Sequence, residues 1–265
     1  MGSKIKSWLA LGRASVEVSE EDGVRSLHLG GDAIQSSIRL DRPDELALDY
    51  TRAMMAFLLF QPAPRDVLMI GLGGGSMARY IHQRMPGTRT AVVEINAKVL
   101  AAARSMFHFP ADDARLKVHI ACGAKYLADQ DEAADVLLMD GFDDGKQPTV
   151  LCTQAFYDCA YAALRPGGVM AVNFMAEEKK LDAYMQRIEK SFDGYVVSLK
   201  AEDKVNLIVF GFKRHPRQLA WAELKKRARL LKKLHDLPLE DFIAGLKKNN
   251  PHTQSVLRLR PAAGD

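Results

Sequence analysis

The sequence predicts an α/β fold in which a mostly parallel sheet of seven strands is covered by helices on both faces. Three observations support this prediction. From residue 65 onward, short apolar segments alternate with helical ones, and a glycine-rich turn joins the first apolar segment to its helix. Two later apolar segments lie close enough in sequence to pair as an antiparallel hairpin. Of the 265 residues, 48% are hydrophobic and 26% are charged, as is typical of a globular protein.

The first 43 residues are expected to form a small antiparallel β annex. Three segments that alternate polar and apolar residues are separated by glycine-containing turns: residues 15–19, 24–29 and 33–40. A helix is then predicted over residues 44–60, with Asp44 as its N-cap and the prolines that follow residue 60 as its end.

The central domain is predicted over residues 44–212. Its parallel strands are expected at residues 66–70, 90–93, 116–121, 134–139 and 168–174. Helices between and after these strands are expected at residues 76–84, 97–107, 153–164 and 179–191. Two closing strands, at residues 194–199 and 205–210, bring the predicted sheet to seven strands.

Residues 213–265 are predicted to form a basic helical tail. The segment 212–265 carries 13 Lys or Arg residues against 5 Asp or Glu residues, a net charge of +8, whereas the whole chain carries +4. A helix over residues 221–246 would place apolar residues at spacings of three and four, which is typical of an amphipathic surface helix. No aromatic residues are interleaved for base stacking, so we expect a solvated helix rather than a nucleic-acid site. Contact with an acidic partner remains open.

Three properties favour a cytoplasmic protein with no membrane segment. The longest nearly apolar stretch, residues 53–60, is far shorter than the ~20 residues that cross a bilayer. The first ten residues lack the apolar core of a signal peptide. The three cysteines, Cys122, Cys152 and Cys159, form no CxxC pair and no zinc-ligand spacing. Such sparse cysteines are typical of a reducing compartment, and we expect no metal site.

A nucleoside-binding site is predicted at the glycine-rich turn. Four glycines stand between a buried strand and a helix, where the backbone can approach a ligand closely: Gly71, Gly73, Gly74 and Gly75. Glu94 ends the next strand, in the position from which a carboxylate accepts hydrogen bonds from both ribose hydroxyls. No Lys-Ser/Thr follows the turn, which excludes a P-loop. A pyrophosphate-binding oxidoreductase stays open, but the paired closing strands favour an adenosyl-sulfonium ligand.

An acidic turn follows the fourth strand of the parallel set. It reads Asp140-Gly141-Phe142-Asp143-Asp144, and open α/β sheets bind ligands at such strand ends. Of the two carboxylates three residues apart, Asp140 and Asp143, one can orient an amine and accept its proton, and the other can pair with a cationic group. Because a sulfonium carries its own leaving group, alkyl transfer needs mainly alignment and a deprotonated nucleophile. The simpler alternative is an acidic turn that caps the next helix.

The order and spacing of these segments resemble the spermidine/spermine synthase family of polyamine aminopropyltransferases. The similar segments, which span about residues 34–212, are residues 33–35, 50–55, 67–76, 92–96, 107, 116–127, 135–144, 153–157 and 164–173. The resemblance implies an N-terminal β domain followed by a methyltransferase-like Rossmann domain. It also implies aminopropyl transfer from decarboxylated S-adenosylmethionine to a small-molecule amine, a homodimer, and no tightly bound cofactor.

The resemblance also implies roles for individual residues. Asp140 matches the family's catalytic acid, which deprotonates the attacking amine, and Asp143 matches the second carboxylate of that loop. Glu94 matches the ribose-binding acid. Gln35 and Tyr50 match residues that line the donor and amine pockets, and Tyr50 is therefore counted with the catalytic group.

The chain departs from the family pattern at three places. Gly74 replaces an Asp that binds the donor's ammonium, and the loop at residues 200–204 replaces one that helps hold the polyamine. Cys122 replaces an Asp that contacts adenine, and with Gly123 it is expected to line the donor pocket. Since Gly74 brings no carboxylate, ordinary S-adenosylmethionine becomes an alternative donor. A methyltransferase with an unidentified acceptor, or a nucleoside-binding pseudoenzyme or scaffold, therefore stays open.

Overall fold

The computed structural model describes residues 7–9, 16–31, 34–142, 147–214 and 218–260. The strands are β1 Ser7–Leu9, β2 Val16–Glu21, β3 Val24–Leu29, β4 Ile34–Arg39, β5 Asp66–Ile70, β6 Arg89–Glu94, β7 Leu116–Ile120, β8 Ala134–Met139, β9 Leu164–Met175, β10 Val196–Lys200, β11 Asn206–Phe212, β12 Gln218–Ala220 and β13 Val256–Arg258. The α-helices are α1 Asp49–Met54, α2 Ser76–Arg84, α3 Ala97–Met106, α4 Gly123–Ala128, α5 Gln154–Ala163, α6 Leu181–Ser191, α7 Trp221–His235 and α8 Leu239–Asn249. Two 3-10 helices cover Met55–Leu59 and Thr149–Cys152.

Seven strands form the central sheet, in the order β10-β11-β9-β8-β5-β6-β7. The strands from β9 to β7 are parallel, and β11 is antiparallel to both of its neighbours, β9 and β10. The predicted mostly parallel, seven-stranded, methyltransferase-like fold is therefore confirmed. The chain adds β6 and β7 on one side of β5 and β8 on the other, which leaves a crevice at the carboxyl ends of β5 and β8. Open α/β sheets bind ligands in such a crevice.

Both faces of this sheet are buried at its central strands, as the nearly continuous apolar sequences of those strands predict. On one face, Val67 and Met69 of β5 belong to a core that includes residues of α2, α3, α7 and α8. On the other face, Leu68 and Ile70 belong to a core with α5 and α6. The alternation along β5 thus fixes the strand between two layers of helices, and its carboxyl end leads directly into the glycine turn.

The N-terminal annex is a four-stranded antiparallel sheet in the order β1-β2-β3-β4. It is docked on the central domain by the Arg25 guanidinium, whose Nη1 donates to the Met106 carbonyl oxygen at 2.7 Å. Gln35 and Ser36 of β4 line the same cavity as the glycine turn. The annex therefore forms one wall of the candidate site.

The helix predicted over residues 44–60 is wrong at its start, whereas its last helical residue, Leu59, agrees with the predicted end within one residue. It begins at Asp49 with Leu48 as the N-cap, so Asp44 does not cap it, and it tightens into a 3-10 helix at Met55. The Arg52 guanidinium donates to the carbonyl oxygens of Leu46 and Ala47. Those bonds hold the preceding segment outside the helix, and sequence periodicity does not report them.

The single helix predicted over residues 221–246 is two helices, α7 and α8. Asp236 has a left-handed backbone conformation with φ of 49°, and Pro238 follows it. Proline has no N–H and disfavours helical geometry in the residue before it, so the helix ends there. Leu224 of α7 and Leu246 of α8 are fully buried in the main core. The tail therefore packs on the sheet. The domain boundaries proposed at residues 43 and 212 stay predictions.

The sequence did not predict α4 or the two-stranded ribbon of β12 and β13. Both are short, with six residues in α4 and three in each ribbon strand. In the part of the chain that the structure describes, no helix is long and apolar enough to cross a membrane.

Candidate active site

A cavity of about 580 Å³ opens at the carboxyl ends of β5, β6 and β8. This volume is typical of a small-molecule site. Eight of the predicted site residues line it: Gln35, Tyr50, Gly71, Gly73, Glu94, Cys122, Gly123 and Asp140. Gly74 and Gly75 belong to the turn but are not among the lining residues, and Asp143 lies outside the described part of the chain.

Gly71 is the point where the glycine turn passes against the end of β8. The Asp140 N–H donates to the Ile70 carbonyl oxygen at 2.9 Å, which brings the two strand ends together. Gly71 has φ of 95°, and a Cβ there would collide with the Asp140 carbonyl oxygen. Only glycine satisfies both conditions without strain, so this residue allows the donor turn and Asp140 to share one cavity.

Gly74 lies against the annex and the end of α3, and it is not among the residues that line the cavity. A Cβ at this position would lie 2.8 Å from Ser36 Oγ and 2.9 Å from Phe107 Cδ1. Phe107 is only 1% exposed and has little freedom to move. A carboxylate at position 74 would therefore require both neighbours to shift. The site thus lacks the space for an acidic side chain as well as its charge.

Glu94 joins the turn to the start of α3. Its Oε2 accepts from the Leu72 N–H at 2.9 Å, and its Oε1 accepts from the Asn96 N–H at 2.8 Å. Burial raises the pKa of this carboxyl, and the backbone donors act in the opposite direction. A carboxylate has about four lone-pair sites, so each oxygen can still accept from a hydroxyl of a ligand in the cavity.

Asp140 is a half-buried carboxyl on the cavity wall. Its Oδ1 accepts a hydrogen bond from Asn173 Nδ2 at 2.9 Å. Burial raises its pKa to about 6, although hydrogen bonds from Asn173 and Tyr50 favour the ionised form. A carboxyl with such a pKa is mostly ionised near pH 7 and binds a proton more readily than an ordinary aspartate.

Tyr50 of α1 connects Asp140 with the annex. Its hydroxyl donates to the Gln35 carbonyl oxygen at 3.0 Å and lies near the Asp140 carboxyl. Burial first, and then the neighbouring carboxylate, raise the pKa of this phenol well above its usual range. Tyr50 therefore keeps its proton and acts at this site as a hydrogen-bond donor.

The far side of the cavity is less polar. Cys122 is a free, partly exposed cysteine at the N-cap of α4, and Gly123 packs against Ile70. The rim carries three exposed apolar residues, Ile95, Ile120 and Val150, with 72%, 48% and 49% of their surface exposed. Apolar side chains left exposed around a cavity offer contact to a flat ring such as a nucleobase.

The sequence did not predict two buried asparagines that lie on the side of Asp140 away from the cavity. Asn173 and Asn206 are 2% and 7% exposed and lie near the ends of β9 and β11. The available signal was an amide in an otherwise apolar buried strand, since buried polar side chains require a partner. Among the described residues, no group of three or more His, Cys, Asp or Glu side chains is arranged to hold a metal ion.

Comparisons with known proteins identify relatives of this arrangement. The spermine/spermidine synthase domain matches residues 48–202. A polyamine aminopropyltransferase of Neisseria meningitidis is 39% identical over 242 residues, covering 91% of this chain and 92% of the relative. The crystal structure of a probable spermidine synthase from Corynebacterium glutamicum has a TM-score of 0.73 at 19% identity, covering 95% of this chain and 99% of the other. Human Methyltransferase-like protein 13 in complex with SAH has a TM-score of 0.64 at 30% identity, covering 72% and 94%.

Proposed function

This chain belongs to the spermine/spermidine synthase family, and from that premise we propose that it transfers the aminopropyl group of decarboxylated S-adenosylmethionine to a polyamine. The observation that supports this proposal most directly is the Asp140 carboxyl. It lies on the wall of a cavity that also contains the glycine turn and Glu94, and it has a pKa of about 6. A proton acceptor and a nucleoside site thus share one enclosed space.

In this proposal, the donor occupies the half of the cavity built by β5 and β6. Glu94 accepts hydrogen bonds from the ribose hydroxyls with the lone pairs that Leu72 and Asn96 leave free. The adenine lies between the apolar side chains of the rim. Cys122 takes the position beside its exocyclic amine and is a weaker acceptor there than a carboxylate.

The transfer joins an amine nitrogen to the carbon of the aminopropyl group that is bonded to sulfur. As the new carbon–nitrogen bond forms, the carbon–sulfur bond breaks, its electron pair goes to sulfur, and neutral methylthioadenosine leaves. The nitrogen must lose a proton, which the Asp140 carboxylate accepts while Tyr50 and Asn173 fix its orientation. The chain's own contribution is therefore alignment and one proton acceptor.

A methyltransferase is the second candidate, because two observations favour it. The packing of Ser36 and Phe107 leaves no room for a carboxylate at position 74, so no charge there selects a donor that ends in an ammonium alone. The chain is also 30% identical to human Methyltransferase-like protein 13 in complex with SAH. In this alternative, ordinary S-adenosylmethionine is the donor and Asp140 accepts the proton of a different acceptor.

Calorimetric titration with S-adenosylmethionine, its decarboxylated form and methylthioadenosine, at one pH and salt concentration, separates the two candidates. Tighter binding of the decarboxylated donor, followed by formation of a longer polyamine from putrescine, is the expected result. Tighter binding of ordinary S-adenosylmethionine, with no polyamine product, would support the methyltransferase. If none of the three binds, both transferase proposals fail and a scaffold role takes their place.

A further inference from the structure

The hydrogen bonds behind Asp140 form a row of three polar side chains that crosses the sheet. Asn173 Nδ2 donates to Asp140 Oδ1 at 2.9 Å. Asn206 Nδ2 in turn donates to Asn173 Oδ1 at 2.9 Å. Both asparagines are buried, so neither amide has water as a substitute partner.

Strand register explains why these three residues meet. On β9, Val172 is opposite Met139 of β8, so Asn173 is beside Asp140, the residue that follows β8. On the other side, β11 pairs Met175 with Asn206. Asn206 is then the diagonal neighbour of Asn173 on the same face, a separation that long side chains can span.

The row has a direction, because each amide has a donor end and an acceptor end. A rotated Asn173 would turn its oxygen toward the Asp140 carboxylate and its NH₂ toward the NH₂ of Asn206. The first contact would then place two acceptors together and the second would place two donors together, so neither would be a hydrogen bond. Asn206 is itself oriented by Met175, whose sulfur lies 3.7 Å from the same Nδ2 and can only accept.

We propose that Asn206 is a positioning residue that holds the Asn173 amide with its N–H toward the Asp140 carboxylate. It acts through Asn173 and does not face the cavity itself. This inference rests on the proposed function only where Asp140 is the proton acceptor, since the hydrogen-bonded row exists whatever the reaction is.

The consequence is a carboxylate that stays ionised in spite of its burial. Burial disfavours the ionised form, whereas a fixed N–H donor favours it. The titratable groups that line the cavity with Asp140, among the described residues, are Tyr50, Glu94 and Cys122. None of them is a cation, and the one proton of the Tyr50 hydroxyl is shared with the Gln35 carbonyl oxygen, so the Asn173 amide is the described donor that holds the negative charge most directly.

The test compares Asn206→Ala with Asn250→Ala. Asn250 is a suitable control because its amide also binds the hairpin of β10 and β11, through Ser198, yet has no bond to the Asp140 row. In each variant the pKa of Asp140 is measured by NMR of protein carrying ¹³C in its aspartate carboxyls. The Asp140 signal is identified by its loss in Asp140→Asn.

We expect Asn206→Ala to raise the pKa of Asp140 by about 1 pH unit, part of the effect of losing a hydrogen bond to a charged group. Asn250→Ala should leave it unchanged. The isosteric Asn206→Asp, which cannot donate when ionised, should shift it further in the same direction and serves if the alanine variant does not fold. At amine concentrations well below KM, the rate should fall about fivefold near pH 6 and recover near pH 8.5, as expected for a pKa that moves from about 6 to about 7.

Two results would overturn the inference: an Asp140 pKa that neither Asn206 variant changes, or an equal shift in Asn250→Ala. A shifted carboxyl pKa with an unshifted turnover profile would leave the positioning role of Asn206 intact. That result would instead reject Asp140 as the proton acceptor, so the two proposals can fail separately.

Discussion

Replacing Asp140 by asparagine removes the proposed proton acceptor with almost no change in shape. The amide keeps an oxygen that can accept from Asn173 Nδ2, so the donor half of the cavity is expected to stay intact. We therefore expect turnover to fall by at least ~100-fold, the lower range for loss of a general base, while methylthioadenosine binds as it does to the unaltered protein.

The pH dependence gives this prediction a magnitude from the structure. With a pKa of about 6, the Asp140 carboxyl is about 90% ionised at pH 7 and about 10% ionised at pH 5. The ratio kcat/KM for the amine should therefore fall about tenfold between these two pH values, because it follows the carboxyl of the protein before the amine binds. Above pH 7, this carboxyl imposes no further change on turnover.

The assay is the initial rate of methylthioadenosine release between pH 5 and pH 8.5, at amine concentrations well below KM. The decrease below pH 6 should be present in the unaltered protein and absent from the residual activity of Asp140→Asn. If Asp140→Asn retains full turnover, or if its residual activity keeps the same acid limb, the proton goes to another group and the assignment is wrong.

Three further predictions concern binding and stability. Glu94→Ala should weaken nucleoside binding by ~1–3 kcal/mol, the scale of hydrogen bonds to a charged group, and an unchanged calorimetric affinity would mean that the nucleoside binds elsewhere. Gly71→Ala should lower the free energy of unfolding by at least ~1–3 kcal/mol, because its φ is positive and a Cβ would meet the Asp140 carbonyl. Gly87→Ala is the control, since a Cβ there would meet nothing within 4 Å; equal losses in thermal denaturation would refute the steric argument. Finally, folding raises the pKa of Asp140 from 3.8 to about 6, so the proton that it binds stabilises the fold below pH 4, and this stabilisation is lost as the pH rises through 6. Asp140→Asn should therefore raise the free energy of unfolding at pH 8 by ~1–2 kcal/mol, less than the ~3 kcal/mol that the pKa difference allows, because the side chain is only half-buried; an equal or larger gain at pH 4 would contradict this sign.

The fold could be predicted where the chain repeats one local rule. The helix Ser76–Arg84 and the strand Ala134–Met139 have the bounds that periodicity indicated. Each is an apolar pattern with a clear turn at one end, so local sequence determines its limits. Pro238 also indicated the end of a helix near Asp236. The single long helix predicted across this position did not take that proline into account.

Other boundaries depend on contacts that are distant in sequence or too specific for a pattern. The start of α1 is fixed by bonds from the Arg52 side chain to two carbonyl oxygens. The ribbon of β12 and β13 joins segments that α7 and α8 separate, and each strand has only three residues. No periodicity can be read over so short a length.

The residues of the candidate site also fall into two groups, those that the sequence could predict and those that depend on distant contacts. Glu94 and Asp140 could be predicted because the carboxyl ends of parallel strands meet at one edge, whatever the order of the strands. Asn173 and Asn206 could not, because their contact requires β9 to lie between β8 and β11 and to pair with each in one register. Sequence alone indicated the set of strands and left that register open.

The two halves of the cavity bear differently on the choice between aminopropyl and methyl transfer. In both proposals Glu94 and the glycine turn contact the nucleoside, which the two donors share, so this half of the cavity is not expected to distinguish them. Position 74 cannot distinguish them by charge either, because Ser36 and Phe107 fill the space that an acidic side chain would need. A preference for the decarboxylated donor must therefore come from the described carboxyls that line the cavity, Asp140 and Glu94, which repel the carboxylate that ordinary S-adenosylmethionine keeps. Because the proposal assigns Glu94 to the ribose hydroxyls, the donor's propylamine arm is expected to reach toward Asp140.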